Sequence, residues 1–212
     1  MPVFNLHYMK AMFFLSTLLL SIHIFCQEKK IELQAGRSFN GTGDIRGVGL
    51  SLEYSKTIKK KFDWTVSIGS NIHDGSFPIL FEYTSGNMVD GSVRYTTAGM
   101  QAAYSLGYGF IKTGGSDLRL KIGGLLRFQS TSYYDDVTVL YPTLTGLSYP
   151  VIVFRNSNPQ RTVSAGLITQ FGYKVNVNKK ICVGVVGSFQ FDTNGDNISQ
   201  LMLSLGRRWR CK

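Results

Sequence analysis

The chain has 212 residues, 43% hydrophobic and 13% aromatic, with 23 glycines and only 5 prolines. That size suits one domain or two small ones, and a mean hydropathy of +0.01 excludes both a disordered tail and a bundle of membrane helices. The net charge of +10 forms no long basic block, and the aromatics alternate with apolar residues instead of interleaving with Lys and Arg, which argues against nucleic acid as a partner.

Residues 1–26 read as a signal peptide, with Met9 as an alternative start. Met9-Lys10 precedes an apolar core from Ala11 to Leu20, and cleavage falls between Cys26 and Gln27. The apolar run is too short for a retained membrane helix. A lipid anchor on Cys26 is disfavoured by bulky Phe25. Residues 27–212 then form a single domain. Its two cysteines, Cys182 and Cys211, fall on opposite strand faces and are expected to be free thiols.

Period-two alternation recurs eight times through that domain, and no segment sustains a helical period. The expected strands cover about 31–39, 46–57, 62–72, 94–110, 118–130, 162–175, 181–192 and 198–209. One face of each is apolar, as in Val48, Leu50, Leu52 and Tyr54. The other is small or polar, as in Gly49, Ser51, Glu53 and Ser55. A soluble sandwich alternates in the same way, so alternation alone does not decide the architecture.

Two further patterns do. Connections after the second, fourth and sixth strands are short, whereas those after the third and fifth are long, about 73–93 and 131–161. Short turns on one side and longer loops on the other are the rule for outer-membrane barrels. Aromatics on the apolar face also collect at strand ends. Tyr54, Trp64, Tyr108, Phe110, Phe171, Tyr173 and Trp209 lie at one level, and Phe39, Phe128, Phe189 and Phe191 at the other. A bilayer sorts rings to its two interfaces in this way, and a soluble core does not. The reading is an all-β, closed eight-stranded antiparallel transmembrane barrel, an up-and-down meander. Arg37 and Arg207 fall on its lipid side near strand ends, where they can snorkel.

The signal ending in "FCQ", the strand "GLSLEYSK" with its basic turn, and the terminal "LSLGRRW" carry a resemblance over essentially the whole mature chain. The chain resembles the OmpA/OmpX-like eight-stranded outer-membrane proteins, and more nearly the outer membrane protein beta-barrel domain family of Bacteroidota. The resemblance implies the outer membrane of a Gram-negative bacterium, surrounding outer-membrane lipid, and the barrel-assembly machinery as a partner in biogenesis. That machinery's signal usually ends on the aromatic itself, whereas Arg210-Cys211-Lys212 follow Trp209 here.

Candidate sites follow from this frame. Eight strands enclose a lumen that side chains fill. Inward Arg94, Arg119, Lys121 and Arg127 are expected to pair with Glu53, Asp63 and Glu32 as a plug, with Gly49, Gly99, Gly123 and Gly184 making room. Catalysis would need a nucleophile and a base. The one histidine of the mature chain, His73, stands near Asp74, Ser76 and Glu82, but Asp74-Gly75 reads as a turn, so no catalytic residue is assigned. A lipid A deacylase-like enzyme and a soluble periplasmic lipocalin-like binding barrel are the alternatives. No cofactor and no metal are expected, Asp135-Asp136 being at best a weak cation site. The favoured role is structural or binding. Aromatics of the two long loops (Phe81, Tyr83, Tyr133, Tyr134 and Tyr149) are candidate anchors for an extracellular protein, glycan or lipid.

Overall fold

A computed structural model describes residues 28–41, 45–59, 61–83, 87–113, 115–132, 134–147, 149–156 and 160–210. The expected signal peptide and Cys211 lie outside them. Twelve strands and one short helix follow in chain order. They are β1 (Glu28–Asn40), β2 (Ile45–Lys59), β3 (Phe62–Phe77), β4 (Leu80–Tyr83), β5 (Asn87–Asp90), β6 (Val93–Lys112), β7 (Ser116–Thr131), β8 (Asp136–Leu140), α1 (Pro142–Thr145), β9 (Val151–Arg155), β10 (Arg161–Asn176), β11 (Ile181–Asp192) and β12 (Asn197–Arg210).

Eight of these strands close into an antiparallel barrel in the order β1-β12-β11-β10-β7-β6-β3-β2. Closure is complete at the seam, where every residue of β1 has a partner on β12, from Glu28 opposite Arg210 to Asn40 opposite Ile198. Two bulges interrupt the ladders near the short-turn end, between Thr57 and Lys59 and between Gly109 and Ile111.

The barrel is inside-out relative to a soluble protein. Leu33, Leu50, Leu52, Ile68, Met100, Leu106, Ile122, Leu126, Val163 and Leu203 all face outward and exposed, while Glu32, Glu53, Asp63, Arg127 and Gln190 are buried inside. A monomer in water does not carry so large an apolar wall. A barrel of the soluble lipocalin type would have these faces exchanged, which removes that alternative. At the short-turn end, Tyr54 and Trp64 lie 5.6 Å apart, Phe62 and Tyr108 5.1 Å, and Tyr108 and Phe110 5.2 Å. Phe171, Tyr173, Phe128, Phe189 and Trp209 also stand exposed on the outer wall.

The two long connections are not plain loops. The first carries β3 on to Phe77 and then folds into the hairpin β4–β5. The second forms the hairpin β8–α1–β9, a separate two-stranded sheet and not an extension of the barrel strands. The ladder ends at the rim, where the Thr131 N–H donates to Gln160 O and the Ser132 N–H to Thr96 O, and pairing restarts at Asp136 opposite Arg155.

The faces are testable. Val185→Arg, on the apolar wall, should destabilise the barrel in a bilayer by roughly 2–4 kcal/mol, measured by urea unfolding in lipid vesicles. Ser188→Arg points into the lumen, so its cost should come from crowding and persist in detergent. Equal tolerance of Arg at Val183, Val185 and Leu203 would mean that the faces are reversed.

Candidate functional site

The lumen is a charge-balanced plug. Five buried cations (Lys30, Arg119, Lys121, Arg127 and Lys174) meet five buried anions (Glu32, Glu53, Asp63, Asp117 and Asp192). Alternation on β1, β2, β3, β7, β10 and β11 aims them all inward. Near the short-turn end the Lys121 ammonium donates to Glu53 Oε2 at 2.6 Å, and Gln170 Nε2 donates to the other Glu53 oxygen at 2.8 Å. Glu32 takes Lys174 on one oxygen and Lys30 on the other, the latter at 3.0 Å. Arg119 bridges Asp63 and Asp117. Towards the long-loop end, Arg127 binds Asp192 at 2.8 Å, and the Ser164 hydroxyl donates to the same carboxylate oxygen at 2.8 Å. An unpaired ion here would cost several kcal/mol, so pairing is a condition of folding.

Of the expected lumen residues, Glu53, Arg119, Lys121 and Arg127 all sit in this network. Arg94 does not. It is exposed at the rim and paired with exposed Asp74. The reason is parity, because Arg94 shares its face with Ala98 and Met100, which point to lipid. Lys30, Lys174, Asp117 and Asp192 were missed as members. Their own alternation carries the signal, since Lys174 lies on the opposite face from Phe171 and Tyr173. Of the glycines expected to make room, a Cβ at Gly49 or Gly99 would strike Gln200 Nε2 (2.8 Å) or Asn71 Oδ1 (2.6 Å). At Gly123 and Gly184 it would instead strike a carbonyl of the neighbouring strand.

The residues around His73 separate. His73 is buried in the lumen, whereas Asp74 and Ser76 face outward and exposed. The partner of His73 is Ser38, with Oγ 2.8 Å from Nε2, a pair that local spacing could not reveal because it crosses from β3 to β1. His73 Nδ1 has no hydrogen-bond partner among the described residues. Among the described residues the pair therefore has no third group to orient the imidazole. No group of three His, Cys, Asp or Glu residues able to hold a metal occurs among the described residues. Cys182 is a free, buried thiol facing the lumen.

Above the rim, Tyr134 is buried and not an exposed anchor. Its ring lies 4.7 Å from Phe154 and 6.0 Å from Phe77, joining the second hairpin to the top of β3. Tyr149 is exposed, as are Tyr141, Leu144 and Leu147 around the hairpin tip. Tyr133 and the side chains of Phe81 and Tyr83 lie outside the described residues. The base of the first hairpin is fixed by Ser92. Its N–H donates to Asp90 Oδ1 at 2.9 Å, and its hydroxyl accepts from the Ile79 N–H at 3.2 Å. Hydrogen bonds to the Asp90 carboxyl from the Ser92 hydroxyl and then the Ser92 N–H hold it below its ordinary range.

No protein-family model and no curated protein matches the chain. Among solved structures, the N-terminal β-barrel domain of Pseudomonas aeruginosa OprF is similar with a TM-score of 0.51 at 11% identity, covering 86% of this chain and 97% of that one. The Yersinia pestis attachment invasion locus protein Ail matches with a TM-score of 0.47 at 13% identity, covering 87% and 100%. The fold is that of the eight-stranded outer-membrane barrels. The outer membrane is where a barrel with this apolar wall sits. At such identities the likeness extends to the fold alone.

The plug makes its own prediction. Glu53→Ala strands Lys121 in the lumen and should cost about 3–5 kcal/mol. Glu53→Ala combined with Lys121→Met should recover at least half of that loss in urea unfolding. Full additivity of the two substitutions would show that the pair is not coupled.

Proposed function

We propose that this chain is a non-enzymatic outer-membrane barrel of a Gram-negative bacterium, of the Bacteroidota type, acting through its two extracellular hairpins in a structural or binding role. The observation that carries this reading is the second hairpin. From Val137 to Phe154 it contains no Asp, Glu, Lys, Arg or His, yet Leu144 is 76% exposed, Tyr141 62% and Tyr149 54%. An exposed apolar patch of this kind is normally a contact surface. The filled lumen supports the same reading, since it leaves no diffusion path. The contact is to a protein, glycan or lipid outside the membrane. Tyr141, Leu144, Leu147 and Tyr149 are the anchors that the geometry favours, and Phe81, Tyr83 and Tyr133 remain candidates from the sequence. Outer-membrane lipid and the barrel-assembly machinery complete the set of partners.

Crosslinking pull-down from intact cells tests this. The full protein is compared with one whose 76–90 and 134–158 segments are replaced by short Gly/Ser turns. Both should assemble, and the shortened one should lose the extracellular partners. Retention of every partner would move the binding surface to the barrel wall or the periplasmic turns.

The absence of lipid-modifying chemistry is tested separately. Expression of the wild type, His73→Ala and Ser76→Ala should leave the mass profile of cellular lipid A unchanged. A mass shift that either substitution abolishes would establish an enzyme.

A further inference from the structure

The outer wall has several shallow hollows, and the one on β1, β2 and β3 is set apart by two arginines at its upper edge. A groove of about 610 Å³ runs over two successive rungs of the sheet. One rung is Arg37–Val48–Ile72, and the next rung towards the membrane centre is Ala35–Leu50–Ser70. The small side chains Ala35 and Ser70 flank Leu50 and open the hollow. The rung above is Phe39–Arg46–Asp74, so Arg37 and Arg46 stand diagonally on adjacent strands of the same face. Both are exposed. Neither makes an ion pair or hydrogen bond among the described residues. The acid opposite Arg46, Asp74, is engaged by Arg94.

Position makes the lack of partners informative. Arg37 lies three residues below the end of β1. At a rise of about 3.3 Å per residue and a tilt near 45°, this puts it about 7 Å below the rim. At the other end of the barrel, two outward cations rest on rings. Arg207 lies 5.6 Å from the Trp209 ring and Lys61 5.8 Å from that of Tyr108. Arg37 and Arg46 have no such support. One rung deeper, the Ser70 hydroxyl faces the lipid side and also makes no hydrogen bond among the described residues. Two guanidinium groups at headgroup depth, a hydroxyl below them and an apolar trough below Arg37 match one molecule in outline: phosphate, then ester, then acyl chain.

We propose that this groove seats a phosphorylated lipid of the outer leaflet. Its phosphate lies between Arg37 and Arg46, an ester carbonyl accepts from the Ser70 hydroxyl, and an acyl chain runs over Ala35 and Leu50. Arginine suits this role because its planar fork binds phosphate in a bidentate manner. The site is independent of the extracellular hairpins and gives the barrel a preferred lipid neighbour and a fixed depth in the bilayer.

The test uses the full chain, folded in neutral detergent and titrated with diphosphoryl lipid A, with bound lipid counted by native mass spectrometry. One lipid A per barrel should be retained. Dephosphorylated lipid A and phosphatidylcholine should bind at least about tenfold more weakly, as should diphosphoryl lipid A to Arg37→Gln/Arg46→Gln. Ala35→Phe, which fills the groove and keeps both charges, should weaken binding several-fold, whereas Arg207→Gln at the opposite rim should leave it unchanged. Heat-modifiable migration on gels verifies folding of each variant. Equal binding of phosphorylated and dephosphorylated lipid by the wild type overturns the proposal, whatever the variants do. Wild-type affinity in the double arginine variant overturns it too, and so does wild-type affinity in Ala35→Phe, because the charges would then attract lipid without a seat. Inorganic phosphate should not compete at lipid A concentrations, and if it does, the site is a phosphate site without a lipid.

Discussion

Hydrocarbon offers no partner to a peptide N–H, so a sheet that enters it has no permissible edge. The seam between β1 and β12 meets that demand, with thirteen residues of β1 paired along its full length. Closure at eight strands also fixes the bore, and the bore is what side chains of ordinary length can fill. The remaining architecture is a response to a closed cylinder with lipid outside and almost no room inside. The same closure concentrates variation at the ends of the cylinder, because only there can the chain depart from the ladder without exposing its backbone to lipid.

Inside the cylinder, electrostatics replaces hydrophobic packing as the specifying force. Five positive and five negative side chains are buried together, so the lumen contributes nothing to the net charge of +10. That excess resides elsewhere, on the outer walls, the short turns and the chain ends. Apolar inward residues such as Leu125, Ile168, Val186 and Met202 fill spaces between the ionic groups. A lumen of this kind resists hydration because each ion already has its counter-ion at bonding distance.

Much of this is legible in one dimension, because period two is the one regularity that a barrel strand cannot violate. The alternation of Val48, Leu50 and Leu52 with Gly49, Ser51 and Glu53 separates lipid from lumen without any knowledge of the fold. Partner choice is a different matter. Glu32 and Lys174 meet across 142 positions of sequence, and Glu53 and Gln170 across 117, so no local pattern records them. The Ser38–His73 pair escaped for the same reason, whereas the neighbours of His73 in sequence, Asp74 and Ser76, misled because adjacent strand residues face opposite ways. Arg94 shows the converse error, in which chemical suitability for an ion pair was allowed to outweigh parity. The second hairpin is legible in the segments "VTVLYPTL" and "YPVIVFR", whereas the first, with strands of four residues, shows only as an aromatic-rich connection.

The balanced lumen also bears on how such a chain changes over generations. On the outer wall, Leu, Ile, Val and Met are nearly interchangeable, because lipid has no shape for them to match. Inside, losing Glu53 harms the fold unless Lys121 changes as well, so acceptable substitutions come in linked steps. Such a barrel drifts quickly on one face and in correlated jumps on the other. The architecture can therefore persist while sequence likeness fades.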